Sequence, residues 1–425
     1  MKHKKKIEWN RLDNASKIFP ATYSEKDTKV FRIACELYEK IEPEILQEAL
    51  SITIEDFPFY KSVLRRGMFW YYFESSDIQP IVQVESNSVC APIYVGHRYN
   101  LLFRVFYYNK RINFEVFHAL SDGTGAVWFM QSLVYNYLNL KHKGTFANTV
   151  LPNDISSING KMDDSFKKYF ASSNIFVRRV KYKGKQRSPK AYRIGGTKLE
   201  ENRTNLVEGS MSTKAILNYV NEYNTTVTIF IASLLIYSIY KEMPIRKKKY
   251  PVVLSIPINL RPFFKSETGR NFFTTMNVGY PFDKGAHDLA DVIRVVSESF
   301  KRNLTEEQLE DQLNQFMFWE RNPFTRVSPL QIKDFVLRII SKVNDRKITS
   351  NISNLGQISM PLEFSSYIRQ FSFCTGAKRP QISMCSYNDV MVISFTSPFR
   401  ETSIQRIFFQ MLSEHGIEIE ISSNL

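Results

Sequence analysis

The string His118-Ala-Leu-Ser-Asp122-Gly123 sets an imidazole four residues ahead of a carboxylate and a glycine. A histidine with an ordinary pKa of about 6.5 can take a proton from a hydroxyl at neutral pH, provided that local hydrogen bonds fix its ring. Period-two alternation over residues 111–117 puts Ile112, Phe114, Val116 and His118 on one side, with Asn113, Glu115 and Phe117 on the other, and so predicts a strand ending at the histidine. A helix of about 18 residues follows, its stripe formed by Ala126, Met130, Leu133, Val134 and Tyr137. The chain has turned before it reaches Asp122, which therefore cannot share the histidine's face. A buried arginine is the fitting partner, holding the loop rather than relaying charge. Taken by itself the hexapeptide also fits a plainer account, with a satisfied core histidine and an aspartate capping the helix that starts at Gly123.

Other chemistries lack their usual residues. The chain has no G-x-S-x-G elbow, no G-x-x-x-x-G-K-[ST] phosphate loop, no H-E-x-x-H pair and no His/Cys cluster at metal-ligand spacing. Gly123-Thr-Gly125 opens a helix as a dinucleotide fingerprint does, but Trp128 stands where the third glycine belongs. Cys35, Cys90, Cys374 and Cys385 are too sparse for a disulfide scaffold and form no C-x-x-C pair, which fits a reducing cytoplasm.

The elements that must position the histidine alternate between strand and helix. The pattern predicts a strand over residues 30–37, a helix opened by Glu42 and Pro43, and more strands between residues 68 and 95. Next comes a hairpin of residues 99–108 and 111–117 joined by Asn109 and Lys110. Residues 153–205 shift to Ser, Asn, Gly and Lys/Arg, including Arg178, Arg179, Lys181, Lys183, Lys185 and Arg187, and read as a crossover between halves. Helices are expected near 213–223, 227–240, 288–302, 306–319, 330–343 and 401–414, and strands at 252–256, 368–375, 381–387 and 390–396. The expected organisation is a basic tail (1–18), a first lobe (19–175), a linker (176–208) and a second lobe (209–425), a mixed α/β chain without a usable internal repeat.

With 425 residues, 33 Phe and 22 Tyr, the chain can fill more than one core, and both a single small module and a disordered chain are excluded. The net charge of +15 admits nucleic acid, an anionic membrane or a polyanionic cofactor. Nucleic acid fits poorly, because the basic runs Lys2-His3-Lys4-Lys5-Lys6 and Arg246-Lys-Lys-Lys249 lie apart and accompany no binding motif; they read as solvated surface. The positive start lacks the apolar stretch of a signal peptide, and residues 227–240 are too short to span a bilayer, so no membrane span is expected.

Several strings occur together and in order. Asp56-Phe57-Pro58 and Phe69-Trp70-Tyr71-Tyr72-Phe73-Glu74 come first, then His118 to Gly123, then Ser255-Ile-Pro257-Ile-Asn-Leu-Arg261 with Asn271-Phe272-Phe273, and last Ser353-Asn354-Leu355-Gly356. From about residue 19 to about residue 412 this set resembles the acyltransferase superfamily that contains chloramphenicol acetyltransferase and the condensation domains of peptide synthetases. The nearest resemblance is to the bacterial alcohol O-acetyltransferase-like proteins. It implies two similar α/β lobes with mixed sheets and an active site in a channel between them. It also implies His118 as general base, Asp122 and Gly123 as structural parts of the motif, and Arg261 as the arginine that pairs with Asp122. Acetyl-CoA would be the acyl donor and a small-molecule alcohol the acceptor, with no metal and no covalent enzyme intermediate. An acyl carrier protein could instead bring the thioester, and a catalytically silent binding protein is the third alternative. Ser353 or Asn354 could serve the oxyanion, although Ser-Asn-Leu-Gly is equally a turn with local side-chain bonds. Two departures stand out: Phe117 precedes the histidine where condensation domains usually carry a second one, and the D-F-G-W-G string of the plant enzymes is absent.

Overall fold

The computed structural model describes residues 9–13, 15–96, 98–143, 145–146, 190–282 and 288–424, and the side chains of all of these except 315–321. The leading lysine run, residues 147–175 of the first lobe and the linker as far as residue 189 lie outside the described residues.

The first lobe contains β1 (Trp9–Arg11), α1 (Ile18–Thr22), β2 (Val30–Leu37), α2 (Pro43–Asp56), β3 (Ser62–Arg66), β4 (Tyr71–Ser75), β5 (Gln83–Val84), β6 (Phe103–Tyr108), β7 (Arg111–Phe117) and α3 (Gly123–Lys141). The turn between β6 and β7 closes with Asn109 at φ +50°, a conformation that asparagine tolerates better than most residues. β7 lies between β2 and β6, and both of its faces are buried. Its Glu115, with no exposed surface, accepts from Arg32 Nε at 2.9 Å and Arg104 Nε at 2.8 Å, so the guanidiniums of both neighbouring strands fix the register just ahead of His118.

The second lobe opens with β8 (Asn205–Ser212), α4 (Thr213–Glu222), α5 (Val227–Glu242), β9 (Val252–Asn259) and β10 (Phe273–Tyr280). The helices α6 (Leu289–Asn303), α7 (Glu306–Arg321), α8 (Pro323–Val327) and α9 (Leu330–Asp345) follow. The chain then forms β11 (Ser350–Gln357), β12 (Ile368–Thr375), β13 (Gln381–Tyr387), β14 (Val390–Ser397), α10 (Ser403–Ser413) and β15 (Ile419–Ser423). Seven of these strands make one mixed sheet in the order β10-β9-β11-β13-β14-β8-β15, with β11 parallel to both of its neighbours. The apolar segment at 227–240 is α5, whose Phe230, Ile231, Leu234, Leu235, Ile236 and Ile239 fill the core of this lobe. Among the described residues no single helix is long and apolar enough to cross a membrane.

Three boundaries differ from the sequence reading. β12 belongs to the first sheet, pairing antiparallel with β2 in the order β12-β2-β7-β6-β5, so a strand from the second half of the chain completes the first lobe. Its Phe371 and Phe373 are buried in the first core, and that burial outweighs chain order. The expected tail contributes to the first lobe: β1 pairs with β4, Leu12 is buried, and Asp13 accepts from Ser16 N at 2.8 Å. At the linker's other end β8 already starts at Asn205, because residues 205–212 pair with β14.

Candidate active site

His118 follows the last residue of β7, and its backbone N–H donates to Lys29 O at 2.8 Å just before β2 begins. Its ring is held on three sides. Phe19 of α1 stacks on it at 4.3 Å between centroids and 13° between planes, Phe31 meets it edge-on at 5.1 Å, and Phe273 of β10 lies at 5.4 Å. This apolar surround pushes the imidazole below its ordinary value, because desolvation disfavours the charged ring more than the hydrogen bonds to it and the Asp122 charge favour it. The residue nevertheless keeps part of its surface accessible.

Hydrogen bonds decide which ring nitrogen carries the proton. The Asn271 amide Nδ2 donates to His118 O at 2.9 Å, Ala119 O at 3.3 Å and Ser16 Oγ at 2.8 Å. Two of these acceptors are backbone carbonyls, so the amide cannot be turned round without setting oxygen against oxygen. Ser16 Oγ can accept because its own proton goes to Asp13 Oδ1 at 2.5 Å. Asn271 Oδ1 therefore faces His118 Nδ1, at 3.1 Å, and as an acceptor it requires the proton on Nδ1. Among the described residues nothing bonds to Nε2, which keeps its lone pair in a neutral ring that can take a proton.

Asp122 has a separate role. It is 4% exposed and caps α3, with Oδ1 accepting from Gly125 N at 3.1 Å. Arg261 grips it with two nitrogens, Nη1 to Oδ2 at 2.8 Å and Nη2 to Oδ1 at 3.1 Å, while Phe272 N donates to Oδ2 at 2.9 Å. Arg261 also donates to the carbonyls of Thr268 and Arg270, at 2.7 and 2.8 Å. Leu260, Phe264 and Phe272, packed with Leu309 and Leu313 of α7, seat this arginine loop in a small core of its own. Motif loop and arginine loop are thus tied across the junction of the lobes. A Cβ on Gly125 would stand 1.9 Å from Gly269 O, so only glycine permits this approach, and Ser121 Oγ donates to the same carbonyl at 2.6 Å.

The structure brings His118, Asp122, Gly123 and Arg261 to one place. Ser353 and Asn354 lie in β11 rather than in a free turn, but the strand is irregular between Asn354 and Gln357, where Gly356 has φ +76°. Asn354 Oδ1 accepts from Gly356 N at 2.7 Å and its Nδ2 donates to Thr228 Oγ1 at 3.0 Å. The segment reaches the motif through Leu355, whose Cδ2 would lie 2.4 Å from a Cβ on Gly123. Sequence reasoning missed Ser16, Phe19, Phe31 and the role of Asn271. The string Asn271-Phe272-Phe273 was the available signal, supplying the amide, the N–H for Asp122 and a ring against His118. Among the described residues no group of three or more His, Cys, Asp or Glu side chains could hold a metal ion.

No protein-family model matches the chain, and no curated protein sequence does either. Solved structures do. The first condensation domain of the calcium-dependent antibiotic synthetase is similar with a TM-score of 0.63 at 13% identity, over 96% of each chain. The TRI3 trichothecene 15-O-acetyltransferase of Fusarium sporotrichioides is similar with a TM-score of 0.58 at 10% identity, over 96% of this chain and 94% of that one. A second protein of F. sporotrichioides, solved with coenzyme A and T-2, is similar with a TM-score of 0.62 at 10% identity, over 97% of this chain and 99% of that one. The chain has the two-lobed fold of these solved structures. At such low identity the likeness speaks for the fold alone, and the chemistry must be argued from the residues.

Proposed function

We propose that this chain is an acyltransferase that moves an acetyl group from acetyl-CoA to an alcohol, with His118 as general base. The observation that carries this reading is the imidazole with Nδ1–H committed to Asn271 Oδ1 and, among the described residues, no partner on Nε2, in a residue that keeps part of its surface accessible at the junction of the lobes. A silent binding protein has no need of a ring whose proton is fixed on one nitrogen by a chain running from Asp13 through Ser16 and Asn271. The fold it shares with an acetyltransferase and with a protein solved with coenzyme A supports the same reading.

In this mechanism Nε2 removes the hydroxyl proton as the alcohol oxygen attacks the thioester carbonyl carbon. The carbonyl electron pair moves to oxygen and forms a tetrahedral oxyanion. As the pair returns, the C–S bond breaks and the imidazolium passes its proton to the departing thiolate, so the ring ends neutral. A donor to the oxyanion is worth about 3–4 kcal/mol, and the segment around Ser353 and Asn354, packed over Gly123 through Leu355, is our candidate for it. Asp122 and Arg261 keep the motif loop in place and take no proton.

The test is to incubate purified protein with acetyl-CoA and a panel of alcohols while following free thiol. Thiol release that depends on an added alcohol is the expected result. Release from an acylated carrier protein with indifference to acetyl-CoA would move the donor to the carrier. No release from either thioester would overturn the reading.

A further inference from the structure

Helix α9 turns an apolar stripe outward, while Asp334 and Asp345 face the protein on the same side as buried Leu330. Asp334 is buried and accepts from Tyr71 Oη at 2.8 Å, with Arg66 Nη2 at 3.4 Å. Asp345 accepts from Lys378 Nζ at 2.6 Å and pairs with Arg379 Nη2 at 3.1 Å. The exposed stripe is instead Ile332, Phe335, Val336, Ile339, Ile340 and Val343, at helical steps of three and four, with Phe335 64% exposed. Phe324 and Val327 of neighbouring α8 are 80% and 70% exposed, and Met68, whose carbonyl accepts from Leu330 N at 2.9 Å, is 72% exposed. A contiguous apolar surface of this extent on a folded chain marks an interaction site.

Charge indicates the occupant. Both carboxylates of α9 point inward and are matched by cations of the protein, so the edges of the stripe carry Lys333, Arg338 and Lys342, joined by Arg326 of α8. Lys333 sits over Trp70 at 3.5 Å from the ring centroid, which places an aromatic and a cation together at the rim. The acidic residues at the start of α7, Glu306 to Asp311, are separated from α8 by about 15 Å of helix, and Glu320 near its other end is followed at once by Arg321. Two copies of this face would set cation against cation.

We propose that this face seats the chain on the surface of an anionic phospholipid bilayer, with α9 lying in the plane of the interface. Its stripe enters the boundary with the acyl chains, and the lysines and arginines along its edges meet the headgroups. The docked face then lies one helix from the imidazole: Arg338 Nε donates to Ala21 O of α1 at 2.8 Å, and Phe19 of α1 stacks on His118.

The experiment is co-sedimentation of the full chain with vesicles of phosphatidylcholine alone and of phosphatidylcholine mixed with phosphatidylglycerol. Binding to the anionic vesicles, weakened by added salt, is expected. Phe335→Glu combined with Ile339→Glu should weaken it at least about tenfold. Arg326→Glu with Lys342→Glu should remove the preference for anionic lipid, and this rim pair keeps the proposal testable if the first pair disturbs folding. Absence of binding to both vesicles, or equal binding to both, overturns the proposal. So does a solution dimer that Phe335→Glu and Ile339→Glu convert to a monomer, because the stripe would then be a self-association face.

Discussion

Replacing His118 by alanine is expected to lower acyl transfer by at least about a hundredfold, the low end of what a positioned general base contributes. Folding should survive the change. The residue is partly accessible, its backbone N–H still reaches Lys29 O, and the Asn271 amide keeps its bonds to His118 O, Ala119 O and Ser16 Oγ. Thiol release by the variant, measured beside its unfolding midpoint, separates the two effects. Turnover at the wild-type rate would remove His118 from the mechanism, and a collapsed midpoint would show that the ring serves packing.

Arg261→Ala is expected to cost stability as well as turnover. The guanidinium and the Asp122 carboxylate are each less than a tenth exposed, and breaking such a pair costs about 3–5 kcal/mol because a buried charge loses its partner. Asp122 would keep its two backbone donors, Gly125 N and Phe272 N, which offsets part of the loss. The carbonyls of Thr268 and Arg270 would lose theirs, and the loop carrying Asn271 would loosen beside them. Denaturant unfolding should therefore show a lower midpoint. Arg261→Lys should restore little, since a lysine cannot bridge both carboxylate oxygens and the two carbonyls. An unchanged midpoint with only weaker substrate affinity would place Arg261 at the substrate instead.

What was legible in the sequence was local. Alternation ran from residue 111 to the histidine and then changed to a helical stripe, so the end of β7 and the start of α3 could be read directly. Asp122 reads as standing apart from His118, because a strand end and a helix cap cannot share a face. Arg261 as its partner came from the ordered set of strings rather than from any local pattern. The rest depended on contacts between distant parts of the chain. Asn271 reaches Ser16 across 255 residues, and nothing near either residue announces that a serine will orient an amide that in turn orients an imidazole. Residues 9–18 follow a lysine run and look like its continuation until β4 pairs with β1 and Phe19 finds the histidine ring. β12 has an ordinary strand pattern, and only the burial of Phe371 and Phe373 assigns it to the first sheet. Ser353-Asn354-Leu355-Gly356 reads as a turn because its residues favour one, and the structure keeps that irregularity inside a strand.

The claim on which the account depends is that His118 is neutral at physiological pH, with its proton on Nδ1. Nitrogen NMR of histidine-labelled protein, assigned by comparison with His118→Ala and followed against pH, tests it most directly. The account predicts an Nδ1–H ring at neutral pH and a midpoint below the ordinary 6.5, because burial among Phe19, Phe31 and Phe273 disfavours the imidazolium. On acidification the base would thus stay available past the point where a solvated histidine is lost. A ring carrying its proton on Nε2, or one that titrates above 6.5, would contradict the account.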